Sequence, residues 1–399
     1  MPGAAVMGAN MSGAPTRGGT GQEQGRGGRH AAPVPFVRAS VEHRESAGYD
    51  ISTQMAAGMV TLPDVLIPAY GFLRAIVLVV TCSGGAGTSV TAKEDNPFNV
   101  LQNIILQEPN GAQIANFPSG YDLFLANKYG GYWHHNDVRQ DGNFSVGLGT
   151  SANVNFVVRI PVETNLRDAV GALPNQNSGA QFRVKLNLAP VATVFGGTVS
   201  TLPTVRVRAY AEEWDQPEDQ TDGQPNQTVP PALNTTQYWT RQDYVINAGQ
   251  QNVRLTRVGN LIRNLMIVFR DSSGSRSGND TSFPDPLTVY YDTRPLDTIA
   301  RPQWITQLRE RYGYIAQIGN TNSAAGTAVA VDSGSGRDNS VWPYDFCHEF
   351  GGFVGRELRD LWLPTLSSTR LELSGSFGAA GTLTVLTNDV TIADNVWLS

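Results

Sequence analysis

The segment GFLRAIVLVV, residues 71–80, has a counterpart in GNLIRNLMIVF, residues 259–269. Each opens at a glycine, carries one arginine and runs on into a nearly unbroken aliphatic stretch of strand length, as a strand buried on both faces requires. Arg74 and Arg263 lie 189 residues apart. Both stretches then dissolve into Gly/Ser-rich loops, 82–89 and 271–278.

Further matches follow in the same order. Tyr129-Gly-Gly-Tyr132 meets Tyr312-Gly-Tyr314 at a separation of 183. NLRD (165–168) meets ELRD (357–360) at 192, and Pro174 or Pro364 follows. FRVKL (182–186) meets TRLEL (369–373) at 187. Ordered matches at nearly constant offset indicate one structural unit used twice.

The unit is all-β. In residues 182–188 the apolar positions Phe182, Val184, Leu186 and Leu188 share one face, and Arg183, Lys185 and Asn187 share the other, the period of a half-buried strand. Residues 205–210, 370–373 and 382–385 alternate likewise, and Gly, Ser, Asn, Asp and Pro clusters bound the runs. A helix is expected over Pro302–Tyr312, where Trp304, Ile305, Leu308 and Tyr312 recur at helical spacing before Gly313. Weaker helical patterns cover 121–128, 165–170 and 357–361. A unit of roughly 160–180 residues has room for about eight strands, so the expected fold is two tandem eight-stranded jelly rolls, a double jelly roll, with short inserted helices.

Composition shifts divide the chain. Residues 1–34 are rich in Gly, Ala, Gln and Arg without apolar periodicity, the pattern of a flexible arm. Over residues 1–40, Arg17, Arg26, Arg29 and Arg38 face only Glu23, a local charge of +3 in a chain of net −6. These arginines are the candidate contacts to a polyanion or a membrane surface. Residues 215–236 mix Asp215, Glu218, Asp219 and Asp222 with four prolines and read as an acidic linker. The first roll is therefore expected over 35–214 and the second over 237–399.

Chemistry finds little purchase. Cys82 and Cys347 match no zinc or disulfide pattern and read as buried thiols. In Cys347-His348 the neighbours point to opposite faces of an extended chain, so the imidazole is no base for the thiol. His134-His135 with Asp137 and Asp141 fits neither zinc nor calcium spacing. Glu212-Glu213 beside Trp214 raises the carboxylate pair of a glycosidase, but its place before the acidic linker reads as a solvated boundary. No nucleotide loop or hydrolase elbow occurs. The expectation is no enzyme, no cofactor and no metal. The longest aliphatic run, 75–80, is far below the roughly 20 residues of a membrane span, and residues 1–34 lack a signal pattern, which makes a cytoplasmic site of synthesis the default.

On its length, tandem repeat, arm and the helical stretches at Leu166–Asp168 and Leu358–Asp360, the chain from about residue 35 onward resembles the double jelly roll major capsid proteins of tectivirus-like phages. These belong to the icosahedral double-stranded DNA viruses with an internal membrane. The resemblance implies a virion shell protein that forms homotrimers of pseudo-hexagonal outline. It implies contacts to neighbouring trimers, to vertex (penton) or minor capsid proteins and to the internal membrane, and no sequence-specific nucleic-acid binding. Charge at 16% against about 25% in ordinary domains suits flanks that bury against copies of the same chain. The alternative is a tandem β-sandwich lectin or receptor-binding spike, which needs aromatic platforms such as Trp133 or Trp239.

Overall fold

The computed structural model describes residues 34–133, 137–140, 148–164, 169–217, 228–229, 236–276, 279–312, 338–346 and 362–391. The first half begins with β1 (Val34–Pro35), α1 (Phe36–Ala39), β2 (Glu42–Gln54), β3 (Val60–Thr61) and β4 (Val65–Leu66). It continues with β5 (Phe72–Gly84), β6 (Ala86–Ala92), β7 (Leu101–Gln107), β8 (Gln113–Ser119), α2 (Gly120–Tyr129) and β9 (Gly149–Pro161). It ends in β10 (Leu173–Pro174), β11 (Arg183–Leu188), α3 (Val191–Val194), β12 (Phe195–Thr201) and β13 (Thr204–Trp214). After β14 (Thr228–Val229) the second half runs β15 (Gln237–Ile246), β16 (Gly249–Leu255), β17 (Leu261–Asp271), β18 (Leu287–Tyr291), β19 (Arg294–Ile299) and α4 (Arg301–Tyr312). It closes with β20 (Val341–Asp345), β21 (Leu363–Pro364), β22 (Leu371–Phe377) and β23 (Gly381–Val390).

The strand orders repeat. In the first half β2-β13-β5-β9 forms one sheet, and β11-β7-β8 with the short edge strands β3 and β4 forms the other; in the second half these become β15-β23-β17-β20 and β16-β22-β18-β19. Each half is thus a pair of sheets of four, counting β3 and β4 as one interrupted strand. β10 and β21 cap equivalent positions, Pro174 opposite Phe72 and Pro364 opposite Leu261. The double jelly roll expected from the repeat is the observed architecture. The first roll adds a two-stranded ribbon, β6 with β12, that the second lacks among the described residues.

Period-two burial builds the rolls. Val184, Leu186 and Leu188 point into the core while Arg183 and Lys185 are exposed. Each buried side chain of this size contributes about 1.5–3 kcal/mol. β17 is buried from Leu261 to Phe269, including Arg263 and Asn264, which interrupt its apolar run. In both rolls the ladder skips one residue at the same place. The pairing of β13 with β5 jumps over Arg74, and that of β23 with β17 jumps over Arg263. A bulge there turns a guanidinium inward on a strand that is otherwise apolar.

α2 starts at a capping box: Ser119 Oγ accepts from the Tyr121 amide at 3.2 Å, and Asp122 Oδ2 accepts from the Ser119 amide at 3.3 Å. α4 buries Trp304, Leu308 and Tyr312, spaced by four, against the second roll. These repeat-equivalent helices meet at their ends. The rings of Tyr129 and Tyr312 stand 5.2 Å apart at 85°, and the Tyr312 hydroxyl donates to the Tyr129 carbonyl at 3.1 Å. A single parallel bridge, Trp239 with Ala115, joins β15 to β8 and fuses two sheets into one of ten strands.

Candidate functional site

The seam between the rolls holds an extended network of buried polar and charged side chains. Asp338, fully buried, accepts from Lys128 Nζ at 2.8 Å, Tyr121 Oη at 3.1 Å, Tyr129 Oη at 3.3 Å and Arg139 Nη2 at 2.8 Å. Asp137 accepts from Lys128 at 3.1 Å and from both Nε and Nη2 of Arg139 at 2.8 Å. The Arg139 guanidinium lies 4.7 Å from the Phe124 ring centre. Burial alone would raise both carboxyls, but the Arg139 and Lys128 charges overcome it and hold Asp137 and Asp338 below the ordinary carboxylate range. Beside this cluster, Arg276 of the second half donates to Asp95 at 2.8 and 3.0 Å and lies 4.5 Å from the Tyr121 ring centre. Arg270 reaches the same carboxylate at 2.7 Å. The two halves are thus tied by paired charge as well as by apolar packing.

A network of one arginine and uncharged partners lies at the other end of the seam. Arg263 donates to the Gly130 carbonyl at 2.9 Å and to Asn388 at 3.3 Å. Gln237 donates to the Val162 carbonyl at 3.0 Å while its own oxygen accepts from Tyr132 and Asn388, both at 3.0 Å.

The equivalent end of the first roll is charged and carries α1. Arg74 donates to Glu163 at 2.6 Å, pairs with Glu42 at 2.8 Å and lies 4.1 Å from the Trp214 ring centre. Phe36 of α1 stands edge-on to Phe72 at 5.1 Å and to Trp214 at 6.4 Å. The Asp215 amide donates to the Val41 carbonyl at 2.9 Å, and β1 lies parallel to β14. The second roll fills the corresponding corner with Leu261, Trp362 and Val390, so a tryptophan at 362 takes the space that α1 and Trp214 occupy in the first.

The sequence-derived candidates fall out as follows. Arg38 is exposed on the last turn of α1; Arg17, Arg26 and Arg29 lie outside the described residues, as do His134, His135, Asp141 and Cys347-His348. Asp137 is a member of the buried ion cluster. Cys82 is buried, which pushes its thiol up to about 11. The solvated-boundary reading of Glu212-Glu213 is wrong: the two residues are 7% and 0% exposed. At this end of β13 side chains cover both faces, Arg159 and Arg44 over Glu212 and Asn175 over Glu213, and the bulge at Arg74 falls opposite. Glu212 accepts from Arg159 at 2.8 Å and Arg44 at 3.2 Å; Glu213 accepts from Asn175 at 2.9 Å. Adjacent on a strand and held by different partners, they make no pair across a cleft. Burial, with Glu45 nearby, raises Glu213 to about 7. Trp239 is 1% exposed and packs on Phe117 at the seam, so it is no stacking platform. Among the described residues no three His, Cys, Asp or Glu side chains group as a metal site, and no helix is long and apolar enough to cross a membrane.

The fold places the chain in the class of double jelly roll proteins. It is similar to the major capsid protein of STIV, the Sulfolobus turreted icosahedral virus, with a TM-score of 0.56 and 13% identity over 88% of this chain and 97% of that one. It is similar to the subunit of the PBCV-1 virus capsid (TM-score 0.54, 13% identity, 88% of this chain and 94% of that one). It is also similar to the major capsid protein P2 of bacteriophage PM2, with a TM-score of 0.50 and 11% identity over 89% and 99%. No protein-family model and no curated protein matches the sequence.

Proposed function

We propose that the chain is a major capsid protein that assembles as pseudo-hexagonal homotrimers into an icosahedral shell around an internal membrane and a double-stranded DNA genome, and that it works as a structural protein, not an enzyme. The observation that carries this reading is the double jelly roll spanning nearly the full length of capsid subunits from viruses as different as PM2 and STIV. The seam supports it: paired charges and interlocked tyrosines make the two rolls one rigid tile, which a shell lattice requires. The virion shell is the location that follows, with neighbouring trimers and vertex or minor capsid proteins as partners. The tectivirus-like assignment rests on the resemblance of the sequence.

The arm is assigned to the inner face. Its root, α1, sits on the Trp214 corner, and Arg17, Arg26, Arg29 and Arg38 supply about 1 kcal/mol each near anionic headgroups, a weak contact that many copies in a shell multiply. The rolls are assigned to 35–214 and 237–399, with 215–236 between them.

Purified full-length protein tests the reading by light scattering and negative-stain microscopy. The expected species is a trimer with a hexagonal outline that survives dilution; a stable monomer that enters no shell overturns it. Unchanged membrane retention in particles lacking residues 1–28 removes the role of the arm. The lectin alternative loses one of its two candidate platforms with the burial of Trp239 and keeps Trp133, which is half-buried.

A further inference from the structure

Inside the chain, β8 at the edge of one roll meets β15 at the edge of the other. The repeat makes β19 the counterpart of β8 and β2 the counterpart of β15, and those two strands do not meet within the chain. The registers fix the second equivalence residue by residue. Trp214 pairs with Phe72 and Glu42 in the first roll as Val390 pairs with Leu261 and Gln237 in the second. Arg44 therefore stands where Trp239 stands.

Burial shows what is missing. β8 buries Ile114, Ala115 and Phe117, and β15 buries Gln237, Trp239 and Ile246. Their counterparts are bare: on β19 Arg294, Pro295, Leu296 and Thr298 are exposed, and along the thirteen residues of β2 only Tyr49 is buried. β19 pairs only with β18, and β2 only with β13, among the described residues. Leu296 is 45% exposed and Val41, immediately before β2, 68%. Leu296 on β19 and Val41 before β2 are thus apolar side chains in solvent on edges whose counterparts in the repeat are covered within the chain.

We propose that β19 of one copy packs against the first half of β2 of a second copy, repeating between chains the β8–β15 seam within the chain. The proposal rests on the capsid reading above and gives its trimer a defined contact. Patches that differ on the two sides make a heterologous interface, which closes into a ring when the rotation permits; three copies then present six rolls. Leu296 and Val41 supply the apolar centre. Glu42, Arg44 and Glu45 on one side and Arg294 and Asp297 on the other supply the charges that set register.

The test uses the full chain. Arg44→Cys is combined with Arg294→Cys or with Leu296→Cys and treated with a short bifunctional thiol cross-linker, the parental chain with Cys82 and Cys347 serving as background. Covalent dimers and trimers are expected in denaturing gels from the double variants only. Leu296→Asp should weaken the trimer at least about tenfold in light scattering, as a charge buried in an interface core does; Leu296→Ala, which disturbs folding less, should weaken it in the same direction. A parental trimer whose double variants do not cross-link and whose Leu296 variants dissociate normally overturns this contact and leaves the capsid reading standing. A parental chain that is monomeric at every concentration and forms no shell overturns the capsid reading, and this contact with it.

Discussion

Asp338→Asn tests whether the ion cluster holds the two rolls together. The substitution preserves volume and removes one charge, so that among the described residues of the cluster Asp137 is the carboxylate left facing Lys128 and Arg139, and these four groups change from neutral to +1. The damage is double. One amide oxygen must replace a carboxylate that accepts from four side chains, while the new amide N–H groups face the Lys128, Arg139 and tyrosine donors. Removing one partner from a buried ion pair costs roughly 3–5 kcal/mol, because the surviving charge stays desolvated. Against a domain stability of about 5–15 kcal/mol that is a large share. Urea unfolding followed by tryptophan fluorescence reads it. The variant should unfold at clearly lower urea, or in two steps as the rolls uncouple. Acid supplies the sign test. A carboxyl whose folded value is depressed stabilises above the ordinary value of 3.8 and loses that contribution as pH falls through its folded value. The gap between parental protein and variant must therefore shrink in strong acid. Asp50→Asn, which breaks an ion pair with both side chains 49% exposed, is the control and should leave stability nearly unchanged, since solvent screens an exposed pair. If Asp338→Asn and Asp50→Asn prove indistinguishable, the cluster does not hold the seam.

Gly71→Ala should destabilise the first roll by several kcal/mol: φ is +36° and a Cβ would stand 2.0 Å from the Trp214 carbonyl oxygen; a thermal midpoint within about 2 °C of the parental value would contradict the packing described. Tyr312→Phe removes the bond to the Tyr129 carbonyl and should cost about 1 kcal/mol in urea unfolding, with no loss if that hydroxyl is solvated instead. Glu213 binds its proton more tightly folded, at about 7, than its ordinary value of 4.5, so stability falls as pH rises from about 4.5 to 7 and then levels off. Glu213→Gln should therefore gain over the parental chain progressively across that window, by at most about 3 kcal/mol above pH 7; a gain that is flat with pH would show that the carboxyl does not titrate there.

The repeat was legible because its carriers are local. Strand alternation in residues 182–188, the apolar runs after Gly71 and Gly259, and the paired prolines 174 and 364 all state their roles within a few residues. Arg74 and Arg263 stood out as matching arginines, but the bulge that turns them inward shows only in the ladder. The same limit explains the error at Glu212-Glu213. Two carboxylates before an acidic linker look solvated until the fold brings Arg159 and Asn175 over them from 53 and 38 residues away. The ion cluster was invisible for a stronger reason: Lys128 and Asp338 are 210 residues apart, and nothing local distinguishes either from a surface charge. Trp239, offered as a stacking ring, carries no mark of the bridge to Ala115 that buries it.

The divergence between the copies follows what covers each position. Where the seam covers the end of the second roll, the strand residues are Gln237, Trp239 and Asn388, all uncharged, with Asn388 donating to the Gln237 oxygen. At the same three places the first roll has Glu42, Arg44 and Glu212, and the Glu42 and Arg44 side chains are 40% and 65% exposed. A seam within one chain never meets water once folding is complete, so it can afford an indole and uncharged amides. An edge that must stay soluble until another molecule arrives needs charge along it, since a bare apolar edge strand invites indiscriminate pairing. Charged pairs that are desolvated on contact give back in lost hydration much of what they gain in attraction, and they are screened by salt while still exposed. The contact between copies should accordingly be more polar and more salt-dependent than the seam it imitates. One unit used twice thus yields a permanent joint inside the chain and a reversible one between chains, which is what a tile needs if it is to fold alone and assemble later.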